Sequence, residues 1–295
     1  MCGIVGATTK RNVYKILIEG LHRLEYRGYD SAGLSIIDEN GQLQTRKTIG
    51  KVAKLENVAK QAPVAGNTGV AHTRWATHGE PSTNNSHPHT SGGVSVVHNG
   101  IIENHEVLRT ELTDAGYLFS SATDTEVIAH LIDHHLKNEK DLRRAVQKTI
   151  ARLDGAYALG VISEHQPDTL IGARSGSPLV IGVGIDEHFI ASDQMALRQV
   201  TDRFVFLEED DLVEISADDY KIYDSRGKVA KRNLQELDDK DQVADRGQYR
   251  HFMQKEIFEQ AKVLAHTSDG RIDKDHIRSA IFGYQAEELF TQTKA

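Results

Sequence analysis

Cys2 stands at the second position of the chain, ahead of Gly3-Ile4-Val5-Gly6, and is the only cysteine among 295 residues. A lone cysteine is most often a small buried hydrophobe, but this position gives it another use. Excision of Met1 would leave a thiol and a free α-amine on one residue. An α-amine titrates at ~7.7 to 8.0, so near neutrality part of it is unprotonated and can serve the adjacent thiol as general base. The same logic pairs an N-terminal threonine with its own amine. One cysteine also excludes an intramolecular disulfide and a zinc site of several thiolates.

Four further segments carry groups that such a nucleophile needs. Arg23-Leu24-Glu25-Tyr26-Arg27-Gly28-Tyr29-Asp30-Ser31-Ala32-Gly33 reads as a helix exit into a polar loop and then a strand, which alone is ordinary turn chemistry. Ala71-His72-Thr73-Arg74-Trp75-Ala76-Thr77-His78-Gly79-Glu80-Pro81 breaks from a strand into a loop holding a guanidinium and the only Trp. The planar fork of Arg74 can take a carboxylate in bidentate fashion; the plain alternative is a surface ion pair, with Trp75 in the core. Val97-His98-Asn99-Gly100 ends a strand, and a side-chain amide beside a backbone N–H can stabilise a developing oxyanion. Asn-Gly is equally an ordinary turn. Asp124 precedes an amphipathic stretch, where either it or Thr123 could cap the helix, or its carboxylate could pair with a ligand ammonium. The inventory is a thiol with its own base, an oxyanion pair, a cation for a carboxylate and an anion for an amine. It fits an amino acid attacked at its side-chain carbonyl.

The elements that must position these groups follow from the apolar pattern. Ile4–Ala7 is a short apolar run bounded by glycine, a buried strand with Cys2 at its mouth. Val13, Ile16, Leu17, Leu21 and Leu24 fall at helical spacing. Strands at 33–37 and 43–48 flank Glu39-Asn40-Gly41, a hairpin turn. Further strands are expected at 69–73, 94–97, 157–162, 169–173, 179–183, 189–191, 204–207 and 212–215, and helices at 103–115, 125–136 and 141–153. Many short strands without regular strand-helix alternation predict an α+β fold of antiparallel sheets covered by helices. The domain expected at 1–230 gives way to a polar linker at 231–250. Residues 251–295 read as helical, with a second short helix at 275–290, too small for a core of their own and so the start of a second domain.

Composition sets the outer bounds. With 35 Lys+Arg against 43 Asp+Glu the net charge is -8, which opposes contact with a phosphate backbone, so no nucleic acid is expected. The longest apolar run, Leu179 to Ile185, falls far short of the ~18 residues of a membrane span. With no secretory signal either, the expected location is the cytoplasm, away from membranes. The histidines, including His87-Pro88-His89, are too scattered to predict a metal. Gly182-Val183-Gly184 lacks the rest of a dinucleotide fingerprint, and no cofactor is expected.

With the spacing between them, these segments resemble the class II, N-terminal-nucleophile glutamine amidotransferases. Cys2-Gly3-Ile4 is shared across that class. Leu24 to Gly33, His72 to Gly79 and Ala173-Arg174-Ser175-Gly176-Ser177-Pro178-Leu179 are more selective and resemble the glutaminase domain of the hexosamine-forming members. The likeness runs from Met1 to Tyr223 and resumes at Tyr249–Ile257. It implies an N-terminal-nucleophile hydrolase fold, a four-layer α/β/β/α sandwich of antiparallel sheets. It implies Cys2 as nucleophile with its amine as base, and Asn99 Nδ2 with the Gly100 N–H as oxyanion hole. Arg74 and Asp124 would hold the α-carboxylate and α-ammonium of L-glutamine. Thr77 and His78 would complete the pocket, Trp75 would be a lid residue, and Arg27 would support the nucleophile. In the family, ammonia passes to fructose 6-phosphate in a sugar isomerase domain, of which 251–295 would be only the start, and the full-length enzyme is a homo-oligomer. This chain is therefore expected to release glutamate without making glucosamine 6-phosphate. Gln260-Ala261 departs from the Gln-Pro common there. Two alternatives stay open: the glutaminase domain of another class II amidotransferase, against which the 26–33 segment argues, and a glutamine-binding module without catalysis.

Overall fold

The computed structural model describes residues 2–75, 79–237, 248–268, 272–273 and 276–277. β1 (Gly3–Thr9) leads through α1 (Tyr14–Leu24) and a short turn, Glu25–Arg27, to the hairpin of β2 (Ser31–Ile37) and β3 (Leu43–Ile49). Asp38 receives the N–H groups of Asn40 and Gln42 in that turn, and Gly41 takes a left-handed φ of 76°. α2 (Val52–Gln61), β4 (Thr68–Arg74), β5 (His89–Ser91) and β6 (Val94–Ile102) follow, then α3 (His105–Asp114), α4 (Thr125–Leu136) and α5 (Leu142–Ile150). The next strands are β7 (Gly155–Ser163), β8 (Gln166–Ser175), β9 (Val180–Val183), β10 (Glu187–Ala191) and β11 (Arg203–Phe206). β12 (Leu212–Ile215), β13 (Tyr220–Tyr223), β14 (Val229–Ala230) and β15 (Leu234–Glu236) complete this part.

The strands form two antiparallel sheets, ordered β15-β11-β9-β10-β1-β4-β2-β3 and β14-β13-β12-β8-β7-β6-β5. Side chains alternate across a strand, and that alternation sorts the core into layers. In β1, Val5 joins Leu17, Leu21 and Leu55 of α1 and α2, whereas Ile4 faces the other way into the layer between the sheets. In β7, Ala158 and Ile162 enter the middle layer, while Leu159 and Val161 pack on the side of α4 and α5. The sequence of layers is helices, sheet, sheet, helices, the expected α/β/β/α sandwich.

The chain divides into two compact units, 1–241 and 242–295. The stretch expected to be linker, 231–250, contributes β15 to the first sheet, where Phe204 pairs with Gln235. An exposed edge strand needs only backbone pairing, so Leu234-Gln235-Glu236 shows no apolar pattern. In the second unit, α6 (Phe252–Ser268) precedes the paired two-residue strands β16 (Ile272–Asp273) and β17 (His276–Ile277). These last two residues fall where a helix at 275–290 was expected; the rest of that span lies outside the described residues. Among the described residues no helix is long and apolar enough to cross a membrane.

Candidate active site

Antiparallel register places the start of β1 beside the end of β4, with Gly3 opposite Thr73. Cys2 therefore emerges next to Arg74 and Trp75. The segment from Leu24 to Gly33 forms their bed: Asp30 N–H donates to the Arg74 carbonyl at 3.1 Å, and Ser31 pairs with Arg74. A Cβ on Gly28 would stand 3.0 Å from both Arg74 C and Trp75 N, tight enough that this backbone would have to give by a few tenths of an ångström.

The thiol is held by main chain. Trp75 N–H donates to Cys2 Sγ at 3.2 Å, and Sγ in turn lies 3.5 Å from the Trp75 carbonyl. Burial raises the thiol above its ordinary range, against the opposing pull of the Trp75 N–H and the Arg74 charge; the Asp30 carboxylate pushes it further up. A thiol raised in this way is protonated at neutral pH, so attack requires a base.

Across the seam, β6 of the second sheet brings Asn99, whose Nδ2 donates to the Cys2 carbonyl at 3.1 Å. Its Oδ1 lies 2.9 Å from His72 Nε2, which is also 3.1 Å from the His98 carbonyl. Gly100 has φ 135°, and a Cβ there would lie 1.9 Å from the Ala156 oxygen, so no other residue fits.

Arg74 is buried and donates through Nη2 to the Gly79 carbonyl at 3.2 Å. Burial lowers its guanidinium from the ordinary range, and Cys2, Asp124 and Asp30 pull it back up, which marks those three as its electrostatic neighbours. Asp124, also buried, occupies the position before α4, yet its carboxylate makes no capping bond to that helix. Oδ2 instead accepts from Ile102 N–H at 2.9 Å. The approach to Asp124 is pinned by Glu126, which takes the N–H groups of Ser120 and Ser121 at 2.8 and 2.7 Å. Arg109 adds bonds to the carbonyls of Ser121 and Thr123.

Trp75 is 49% exposed, which corrects the alternative that would put it in the core; its ring lies 6.5 Å edge-on from Tyr29. Arg27 closes the turn Glu25–Arg27. Thr77 and His78 lie outside the described residues. The structure thus brings Cys2, Arg74, Trp75, Asn99 and Asp124 to one place.

Sequence reasoning missed His72 and Asp30. His72 had a usable signal: two residues before Arg74 on the same strand, it shares that residue's face. Behind it, His87 Nε2 and His98 Nδ1 lie 2.8 and 3.0 Å from Thr125 Oγ1. Among the described residues no group of three or more His, Cys, Asp or Glu is arranged to hold a metal ion.

Residues 72–199 match a family described as the glutamine amidotransferase domain. Over 295 residues the chain is 57% identical to the glutamine–fructose-6-phosphate aminotransferase (isomerizing) of Pseudomonas putida, covering 100% of this chain and 48% of that protein. It is 52% identical over 294 residues to the enzyme of the same name from Vibrio cholerae, again covering 100% and 48%. The chain spans about half the length of these relatives. The glutamine phosphoribosylpyrophosphate amidotransferase of B. subtilis superposes with a TM-score of 0.67 at 26% identity, over 77% of this chain and 50% of that one. A glutamine aminotransferase class-II domain protein from Silicibacter pomeroyi shares the fold, with a TM-score of 0.53 at 16% identity, over 76% of this chain and 99% of that one. Identity to the fructose-6-phosphate enzymes is about twice that to the phosphoribosyl enzyme, which decides between the class II alternatives. The chain belongs to the class II glutamine amidotransferases of the N-terminal-nucleophile fold, as the counterpart of the glutaminase half of glutamine–fructose-6-phosphate aminotransferases.

Proposed function

We propose that Cys2 attacks the side-chain amide of L-glutamine, giving glutamate and ammonia. The observation that carries this reading is the contact of Asn99 Nδ2 with the Cys2 carbonyl at 3.1 Å, beside a thiol held by the Trp75 N–H. Nucleophile and oxyanion donor are side by side.

In this reading Arg74 takes the α-carboxylate and Asp124 the α-ammonium, an opposed pair matching a zwitterion. Thr77 and His78 complete the pocket, Trp75 acts at its mouth, and Arg27 supports the turn beside the nucleophile. Once Met1 is removed, the α-amine of Cys2 takes the thiol proton as sulfur bonds to the amide carbon. The oxygen, now anionic, receives hydrogen bonds from the second Nδ2–H of Asn99 and from Gly100 N–H; losing one such donor costs roughly 2.7 to 4 kcal/mol in a hydrolase. The ammonium returns its proton to the departing nitrogen, ammonia leaves, and a thioester remains. Water then cleaves the thioester to glutamate and restores the thiol.

In a protein of the relatives' full length, ammonia would pass to fructose 6-phosphate held by the other half, which would also make the homo-oligomer. The domain reading is a glutaminase domain that runs from the N-terminal strand through β15 (Leu234–Glu236), followed by the start of the isomerase domain. A reactive free thiol suits the reducing cytoplasm. Intact mass and glutamate release test the core of this reading. Met1 absent, glutamate formed and activity lost in Cys2→Ala support it, whereas glutamate release undiminished in Cys2→Ala refutes it.

A further inference from the structure

We propose that His72 is a positioning residue, which as the neutral Nε2–H tautomer holds the Asn99 amide with its nitrogen toward Cys2 and ties the two sheets together there. The inference rests on the reading of Asn99 as an oxyanion donor.

A carboxamide has two ends of nearly equal shape, and a half-turn exchanges its donors for an acceptor. Flipped, Asn99 would set Oδ1 against the Cys2 carbonyl and against the oxyanion that forms nearby. Something must forbid that flip. His72 Nε2 lies 2.9 Å from Asn99 Oδ1 and 3.1 Å from the His98 carbonyl, two oxygens that can only accept. Nδ1 is buried and has no hydrogen-bond partner among the described residues. A proton on Nδ1 would be an orphaned donor, and the Nε2 lone pair would then face both oxygens. The proton therefore belongs on Nε2, where it reads Asn99 as an acceptor and rejects the flipped amide.

The ring cannot turn away. His72 is 1% exposed and packs against the His87 ring at 4.1 Å between centroids. His87 is itself anchored, through Nε2, to Thr125 at 2.8 Å. Burial keeps the His72 ring neutral, with its pKa pushed down to about 3. Its strand, β4, lies in the eight-stranded sheet with Arg74 at its end, whereas Asn99 belongs to the seven-stranded sheet. One N–H thus registers the sheet carrying the nucleophile and the carboxylate grip against the sheet carrying the oxyanion donors.

The test is steady-state glutamate release by this chain, read separately in kcat and KM. His72→Phe, without a donor, should lower kcat on the order of 10- to 100-fold, the scale of a misplaced catalytic group. KM should stay within about threefold, since Arg74 and Asp124 are untouched. His72→Gln, whose amide N–H can replace Nε2–H, should recover most of the loss. In an Asn99→Ala background, His72→Phe should cost nothing more. If His72→Phe keeps full kcat while Asn99→Ala is impaired, this inference is overturned and the mechanism stands. Undiminished kcat in Asn99→Ala would overturn the mechanism beneath it. If His72→Phe does not fold, the tautomer decides: nitrogen-15 spectra of the unaltered chain should show a neutral Nε2–H ring, and an Nδ1–H or charged ring overturns the inference.

Discussion

The N–H of Trp75 lies 3.2 Å from Cys2 Sγ, so the nucleophile is gripped by the backbone of the strand next to its own while the Trp75 ring stands half out in solvent. Backbone and ring can therefore be separated by mutation. Trp75→Ala keeps the N–H and removes the ring. It should leave the rate of Cys2 alkylation by iodoacetamide within about twofold while raising KM for glutamine. A large fall in alkylation at unchanged KM would contradict this division.

The thiol is raised by burial and is protonated at rest, so turnover depends on the α-amine being unprotonated. Below its pKa of ~7.7 to 8.0 the amine carries a proton and cannot accept another. kcat/KM should therefore fall as pH drops through that range. A flat profile from about pH 6 to 9 would rule out this base.

Arg74→Lys keeps the charge but loses the fork, and Asp124→Asn keeps an oxygen for the Ile102 N–H while losing its charge. A charge-assisted hydrogen bond is worth roughly 1.5 to 3 kcal/mol, so each change should raise KM by one to two orders of magnitude with a smaller effect on kcat. Unchanged KM in both variants would refute the zwitterion grip.

Glu126, which pins the segment leading to Asp124, predicts a stability effect. Burial would raise its carboxyl, but His130 and the donors of Ser120 and Ser121 outweigh it and hold it well below the usual range. A carboxyl depressed on folding stabilises above its unfolded pKa of ~4.3 and loses that contribution as pH falls. Glu126→Gln should cost roughly 1.5 to 3 kcal/mol at pH 7 in urea unfolding, and the gap should narrow below pH ~4. A gap independent of pH would exclude the ionised form.

The buried histidines act on acid stability in the same direction as Glu126, beginning at higher pH. His72 and His89 are pushed down to about 3 by burial, so the native state keeps them neutral while the unfolded chain protonates them below ~6.5. Stability should fall between pH 6.5 and 3 by about 1.4 kcal/mol per pH unit for each such ring. His89→Gln should reduce that slope by about one proton. An unchanged slope would mean His89 is charged in the native state.

Legibility in the sequence followed the kind of signal each residue carries. α1 was readable because Val13 through Leu24 set out a complete apolar stripe, and the β2–β3 hairpin because Asn40-Gly41 names its own turn. α2 was not, since only Val52, Leu55 and Ala59 are buried in a run otherwise charged and polar. In the site, Cys2, Arg74, Asn99 and Asp124 announce themselves by chemistry. Whether Asp124 caps its helix depended on Ile102, distant in sequence, whose N–H claims the carboxylate. His72 acts through a residue on another sheet, and no local pattern encodes that partnership. Asp30 reads as loop until Arg74 is seen beside it.

The seam between the sheets has a mechanical consequence. Cys2 and Arg74 ride on one slab, Asn99 and the β6-bonded Asp124 on the other, and the Asn99–Cys2 and His72–Asn99 contacts act as rivets between them. A close-packed apolar layer resists a change of thickness more than a slide along its plane. Shear of the slabs by about one ångström would draw Asp124, bonded to Ile102 of β6, away from Arg74 of β4 as it moves the Asn99 amide off Cys2. Joint loss of binding and turnover is thus the failure mode that this architecture makes easiest.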